Sequence, residues 1–224
     1  MPLDFIHTIS PAQFKALIEP LVAANQWEGV EPRAKQFMAV ARLQGFDGLP
    51  QTVTPQECDA LVAGGHVELL RGLASSVRPA TSYAQQFATG LMYPGHVIAL
   101  GHGMYFAQPS IPNGHEPGFP RMSEVARRYA TRGDSAGVLL RCALKPTAKT
   151  MSLDELGANF VSDKNRAKRA GVGDLGTYEA ALGLDAFWDD EHFGYSSERI
   201  WNVVNRSALV LQKRVLRVYE LPAD

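Results

Sequence analysis

The stretch GHGMYFA, Gly101 to Ala107, says more about the fold than any other part of the chain. Two glycines flank a histidine and are followed at once by an apolar run with two aromatic residues, a pattern typical of a turn that enters a buried strand. The segment lacks the third glycine and the following helix of a dinucleotide-binding fold, which argues against a hydride-transfer enzyme. It therefore predicts a strand over residues 104–107.

A helix signal follows this strand. Ser123 is a good N-cap for the segment SEVARRYATR, in which Val125, Ala126 and Tyr129 fall on one face. Residues 108–120, between strand and helix, hold four prolines and two glycines. Long loops inside domains are often functional, so we expect this one to form the rim of a pocket.

Several other stretches have the composition of strands. HVELLRGL, residues 66–73, is short and apolar and follows two glycines, which favours a buried strand over a helix. Residues 137–144, 199–204 and 208–221 are rich in branched and aliphatic side chains and are predicted to be further strands. With helices between them, these strands predict an α+β domain over residues 66–224.

The first 65 residues are predicted to be helical. The sequences SPAQ, from Ser10, and TPQE, from Thr54, each supply an N-cap, a proline in the first turn and a capping-box partner. Residues 32–43 place apolar side chains at roughly helical spacing. We therefore divide the chain into an N-terminal helical segment, residues 1–65, and a main domain, residues 66–224.

The bulk composition excludes several classes of protein. The 224 residues are 46% hydrophobic and 20% charged, and the net charge of −1 gives no overall attraction to nucleic acid or anionic membrane. Cys58 and Cys142 suggest neither a disulfide framework nor a zinc ribbon, and the chain has no HExxH or GxSxG motif. We expect no metal and no membrane contact. With no signal peptide apparent, we expect a cytoplasmic protein that could still be delivered into another cell.

Three elements in fixed order, LRG ending the first strand, GHGMYFA and the helix after it, together resemble the ADP-ribosyltransferases. GHGMYFA is similar to the GxGIYFA segment of the poly-ADP-ribose-polymerase branch, whose tyrosine packs against nicotinamide. An Ala-x-x-Tyr pattern in the next helix supplies the opposite face in that branch, and Tyr105 and Tyr129 match these two positions. The first strand ends in Arg71 and Gly72, where that branch has histidine and glycine and the branch related to cholera toxin has arginine.

The resemblance covers about residues 66–221 and implies a fold and an NAD site. The fold would be two packed, mainly antiparallel sheets that form an NAD cleft. Arg71 would bind the pyrophosphate or the adenine ribose, since its planar guanidinium suits anionic oxygens. Tyr105 would stack on nicotinamide, and Gly72 and Gly103 would let the backbone approach it. Tyr129 would close the other side.

The remaining polar residues of this implied site are less well defined. His102, between the glycines, would either touch the nicotinamide ribose or simply sit in the turn. Asn202 would hydrogen-bond the ribose.

The same resemblance implies a carboxylate that hydrogen-bonds the ribose 2′-hydroxyl as charge develops in an oxocarbenium-like transition state. Glu198 is our candidate, acting with Arg71 and Tyr105, although it stands two or three residues before the position of the family's glutamate. Strand alternation would still turn it toward the same face as Asn202. Asp189, Asp190 and Glu191 are acidic alternatives.

The function that this resemblance implies is that of an NAD-dependent ADP-ribosyltransferase, with NAD as co-substrate, which would act as a bacterial toxin or effector. The acceptor would be a macromolecule, and we favour a protein over a nucleic acid. The basic run at residues 164–169 is either a solvated face or a polyanion contact. The alternatives are an NAD glycohydrolase, a non-catalytic NAD- or ADP-ribose-binding module, and an RNA 2′-phosphotransferase-like enzyme.

Overall fold

Helices and strands share the chain throughout in the computed structural model, which describes residues 2–24, 32–74, 79–90, 101–109, 123–132, 137–190 and 198–217. The helices are α1 (Phe5–Thr8), α2 (Pro11–Ala23), α3 (Pro32–Gln44), α4 (Pro55–Ala63), α5 (Ala80–Thr89), α6 (Glu124–Ala130), α7 (Leu153–Ser162), α8 (Lys164–Ala170) and α9 (Leu175–Leu182). The strands are β1 (Gln51–Val53), β2 (Val67–Leu73), β3 (Met104–Gln108), β4 (Val138–Leu144), β5 (Thr150–Ser152), β6 (Ala186–Asp189), β7 (Arg199–Val203), β8 (Leu209–Gln212) and β9 (Leu216–Arg217). The fold is therefore α+β, as the sequence predicts.

The strong local signals of the sequence are confirmed. Ser10 and Thr54 each form a complete capping box at the start of α2 and α4, and Ser123 accepts a hydrogen bond from the backbone of Ala126 at the start of α6. Apolar runs form β2, β3, β4 and β7 with bounds within a residue or so of those expected. These signals succeed because each depends on residues that are close together in the chain.

The N-terminal segment contains a strand that the sequence does not predict. β1 has three residues, and Gln51 and Thr52 are exposed, so no alternating or apolar pattern marks it. It forms because β8 offers a free edge, along which Gln51–Val53 pairs in parallel with residues 210–212. Residues 1–65 are thus not wholly helical.

The strands form one mixed sheet in place of the two packed sheets that we expected. Its order is β1-β8-β4-β2-β3-β7-β6-β5, with β9 paired to β4. In the described residues, the register between β2 and β3 is a single pair, Leu70 with Ala107, whereas β2 and β4 pair along seven residues. The pairing of β2 with β3 therefore joins two halves of the sheet, β1-β8-β4-β2 and β3-β7-β6-β5, through a narrow contact.

The N-terminal helices pack on the late helices and share their core. α3 lies against α9, and α2 against α8. Phe14 and Phe37 are buried in the same hydrophobic cluster as Leu69 and Phe106 of the sheet. Arg166 of α8 donates to backbone carbonyls at the N-terminus of the chain, including that of Ile9 at 2.8 Å. The helical segment and the main domain thus bury apolar surface against each other.

Arg206, in a 3₁₀ turn just before β8, joins three distant parts of the chain. Its buried guanidinium donates to backbone carbonyls and to no carboxylate among the described residues, and burial lowers its pKa. The accepting oxygens, with their distances, belong to Asp47 (3.3 Å), Gly48 (3.1 Å), Gln86 (3.4 Å), Phe87 (2.9 Å) and Gly90 (2.9 Å). A cation at the carbonyl end of α5 also complements the helix dipole.

No helix within the described ranges is both long and apolar enough to cross a membrane.

Candidate functional site

The two tyrosines of the sequence motif pack against the same hydrophobic cluster, although they come from different elements. Tyr105 lies on β3 and Tyr129 in the last turn of α6, and both are partly buried. The Tyr105 hydroxyl donates to the carbonyl of Gly101 at 2.6 Å, while the guanidinium of Arg132 lies 4.3 Å from the centre of the Tyr129 ring. The cluster between the sheet and α6 consists of Leu70, Ala107, Val125, Ala126, Ala130, Leu139, Ile200 and Leu216.

Gly72 explains how α6 can lie so close to the sheet. A Cβ atom at this position would overlap the carbonyl oxygen of Ala126 and would lie 2.7 Å from the backbone nitrogen of Ala130. The backbone of α6 therefore rests directly on β2, and any side chain at residue 72 would push the helix away. The glycine of the LRG sequence thus sets the position of Tyr129.

Arg71 alternates to the opposite face of β2 from Gly72 and lies against Phe106, with its guanidinium carbon 5.7 Å from the ring centre. Its Nη1 atom is buried and has no hydrogen-bond partner, and no salt bridge among the described residues involves this side chain. Burial lowers the pKa of Arg71 to about 10, so the group is still charged at neutral pH. Leaving a buried charged donor unsatisfied costs about 1–3 kcal/mol or more, which an anionic ligand would offset.

His102 is held in the core by contacts with two helices. Its ring stacks on Phe37 of α3 with centroids 5.8 Å apart, and its Nδ1 lies 3.2 Å from Asp174, the N-cap of α9. The backbone nitrogen of His102 donates to the same carboxylate at 3.0 Å. Burial tends to raise the pKa of Asp174, but hydrogen bonds from His102 and Thr177 outweigh it and lower that pKa. These contacts fix the glycine turn, and a ribose contact by His102 stays a prediction.

Asn202 lies beside this turn on β7, paired in register with Tyr105. Its Nδ2 donates to the carbonyl of His102 at 3.1 Å, and its buried Oδ1 has no hydrogen-bond partner. Gly103 has φ +151°, and a Cβ atom there would overlap the Asn202 side chain. The turn therefore needs glycine at residue 103, and the ribose contact predicted for Asn202 stays a prediction.

Glu198 lies at the start of α6, where backbone and side-chain donors already surround its carboxylate. Oε2 accepts from Ser123 Oγ at 2.6 Å, and Oε1 accepts from the backbone nitrogen of Glu124 at 2.7 Å. A longer contact of 3.4 Å joins Oε2 to the backbone nitrogen of Val125. The side chain is 4% exposed. Alternation along β7 does place Glu198 on the face of Ile200, toward the α6 cluster.

The acidic alternatives of the sequence lie at the end of β6, beside β7, or outside the described ranges. Asp190 forms a two-pronged pair with Arg199, at 2.6 and 3.2 Å, and Arg199 lies over the Trp188 ring at 3.9 Å. Asp189 pairs in register with Ile200 at the end of β6. Glu191 lies outside the described residues, and so do residues 110–120 of the expected rim.

Two residues of the site have roles that the sequence alone does not reveal. In the sequence, Asp174 can be recognised only as a helix N-cap, whose side chain accepts from the backbone of Thr177 three residues later. Its pairing with His102 spans 72 residues and leaves no local signal. Ser123 is predicted as an N-cap, but not as a donor to Glu198, 75 residues away. Among the residues the structure describes, no group of three or more His, Cys, Asp or Glu side chains is arranged to hold a metal ion.

Comparison of the chain with protein-family models, with curated proteins and with solved structures finds no match.

Proposed function

We propose that the protein binds NAD and cleaves its nicotinamide glycosidic bond, passing ADP-ribose to a macromolecular acceptor. The observation that carries this proposal is that Tyr105 and Tyr129 pack against one apolar cluster, whose α6 backbone rests on Gly72. Two aromatic side chains at one apolar surface suit a flat, electron-poor ring such as nicotinamide. Each offset stacking contact would contribute about 0.5–1.5 kcal/mol beyond the apolar area it buries.

The charge of Arg71 supports the same ligand. Its buried Nη1 lacks a partner, and it stands next to Gly72 in the same strand. Arg71 and Gly72 point to opposite faces of β2, so an anionic oxygen that satisfied this guanidinium would lie across the strand from the tyrosine cluster. NAD carries both an anionic pyrophosphate and a planar ring, and it would meet both requirements only by passing around the end of β2.

Cleavage would proceed through an oxocarbenium-like state in which positive charge builds on the ribose and nicotinamide leaves. The protein would contribute binding, orientation and exclusion of water around this centre. The anomeric carbon would then bond to an oxygen or nitrogen nucleophile of the acceptor, whose proton is lost. With water as acceptor the same site would act as an NAD glycohydrolase. A bacterial toxin or effector acting on a protein is the setting that we propose.

A second candidate function is a binding module that holds NAD or ADP-ribose without cleaving it. The specific observation in its favour is Glu198, whose two carboxylate oxygens already accept hydrogen bonds at the start of α6. A carboxylate in that arrangement is not available to a ribose hydroxyl unless α6 moves. This candidate shares the Arg71 and tyrosine subsites and differs in the absence of nicotinamide release.

Nicotinamide release from NAD by the purified protein, with and without cell lysate, tests the proposal. We expect release by the wild type, a rise of about tenfold or more in KM for Arg71→Gln, and label on a macromolecule when lysate is present. The matched control is Arg42→Gln, because Arg42 is exposed and pairs only loosely with Asp47, at 3.4 Å. NAD binding without release would favour the binding module. If the protein neither bound NAD nor released nicotinamide, both candidate functions would be refuted.

A further inference from the structure

Both oxygens of Glu198 act as a cap for α6. The Oε1 and Oε2 atoms together accept three hydrogen bonds, from the backbone nitrogens of Glu124 and Val125 and from Ser123 Oγ. Ser123 Oγ in turn accepts from the backbone nitrogen of Ala126 at 3.0 Å. The first turn of α6 thus finds its acceptors in its own N-cap serine and in a carboxylate from β7.

α6 needs such an anchor because it is short. It has seven residues, whereas isolated helices below about 12 residues are marginal in water. The first backbone N–H groups of any helix have no partner within the helix, and a carboxylate there also complements the helix dipole. Glu198, almost fully buried and 74 residues further along the chain, ties this end of the helix to the sheet.

The other end of α6 carries the groups that would meet the nicotinamide. Tyr129 lies in the last turn, and the backbone of Ala126 and Ala130 rests on Gly72. A rigid helix of seven residues transmits a shift at its first turn to its last. We infer that Glu198 is a positioning residue, which fixes α6 so that Tyr129 stands across the nicotinamide subsite from Tyr105. This inference rests on the proposed function and gives Glu198 a different part in it from the one expected on resemblance.

The two roles of Glu198 make opposite kinetic predictions. A carboxylate that stabilises the oxocarbenium-like state acts on turnover and not on NAD affinity, and removing its partner Ser123 would not abolish it. A positioning carboxylate acts on the affinity for NAD, and Ser123 shares its effect because both belong to the same anchor. Glutamine at residue 198 keeps one accepting oxygen and the buried volume, so it would largely preserve an anchor but not a charge.

The experiment measures the Kd of NAD by calorimetry, and kcat and KM for nicotinamide release, in Glu198→Gln, Glu198→Ala and Ser123→Ala. Loss of a helix cap costs enough to weaken binding by about fivefold to thirtyfold. We expect such a rise in Kd and KM for both alanine variants, with kcat within about threefold of wild type, and a smaller rise for Glu198→Gln. Glu124→Gln is the matched control, since its side chain is exposed and only its backbone meets Glu198.

A fall in kcat of about a hundredfold in Glu198→Gln with unchanged Kd, together with wild-type behaviour of Ser123→Ala, would overturn the inference and leave the proposed function standing. If the wild type bound no NAD, the proposed function would fail and so would the nicotinamide role of α6. Hydrogen exchange of the α6 amides would then still show whether Glu198 holds the helix, since both alanine variants should speed their exchange. Ser123→Ala, the milder change, serves if Glu198→Ala does not fold.

Discussion

At the scale of single residues, a buried carboxyl group on α9 links the stability of the fold to pH. Glu179 is fully buried, and neither of its side-chain oxygens has a hydrogen-bond partner. Burial, followed by the nearby Asp185 and Asp174, raises its pKa well above the ordinary value of 4.5. The folded protein therefore keeps a proton on Glu179 at pH values where the unfolded chain has lost it.

Glu179 should make the protein less stable as the pH rises. Between the unfolded and folded pKa values the native state binds more protons, so the free energy of unfolding falls with increasing pH, by up to about 1.4 kcal/mol per pH unit. Below the unfolded pKa this contribution is fully present. We expect Glu179→Gln to remove this part of the slope in urea unfolding measured from pH 5 to pH 8.

Two controls isolate the effect of Glu179. The exposed Glu155 provides a matched substitution, Glu155→Gln, whose profile should follow the wild type. The pKa of His7 is also raised, chiefly by its hydrogen bond to Asp4, so the comparison is repeated in a His7→Gln background. An unchanged slope in Glu179→Gln would show that another group carries the proton.

At the scale of elements, the contact between α6 and β2 is the one on which the candidate site depends. Gly72→Ala places a methyl group where the Ala126 carbonyl lies, so we expect a loss of about 1–3 kcal/mol in the free energy of unfolding. NAD binding should weaken as well, because α6 carries Tyr129. Urea unfolding and calorimetry measure the two effects.

A second glycine offers the control for this substitution. A Cβ atom added at Gly157, inside α7, would have no neighbour within 4 Å, so Gly157→Ala should stabilise the protein by up to about 1 kcal/mol through helix propensity. If Gly72→Ala proved as stable as wild type, the close approach of α6 to β2 would not be the tight contact described above.

Whether a helix or strand could be predicted from the sequence depends on how local its signal is. Helix starts such as Ser10 and apolar strands such as β4 were predictable, because their signals lie within a few neighbouring residues. β1 was not, since its two exposed polar residues become a strand only where β8 accepts them. The partners of Glu198 and His102 were equally hidden, because hydrogen bonds across more than 70 residues leave no local pattern.

At the scale of the whole molecule, the helical segment of residues 1–65 is built into the rest. Its α3 covers α9, and its β1 borders β8. A fragment of residues 66–224 would expose the buried surface of α9, where Tyr178, Ala180 and Ala181 are fully covered in the whole protein.

We therefore expect the 66–224 fragment to show no cooperative unfolding transition in urea, followed by circular dichroism, whereas the full chain does. Each large apolar side chain that becomes exposed costs about 1.5–3 kcal/mol, and the net stability of a domain is only about 5–15 kcal/mol, so exposing this surface would remove much of it. The fragment mixed with a separate peptide of residues 1–65 is the informative control, since it restores the missing surface without the covalent link. A cooperative transition in the isolated fragment would mark it as an independent domain.

The contacts of Arg206 determine when during synthesis this part of the chain can fold. The carbonyls that it gathers belong to residues 47–90, and the strand next to it, β8, receives β1. None of these contacts can form until the chain has been synthesised past Arg206 and β8. Residues 47–53 therefore stay without these partners while the roughly 150 residues in between are made, and the strand pairing of β1 is a late step in folding.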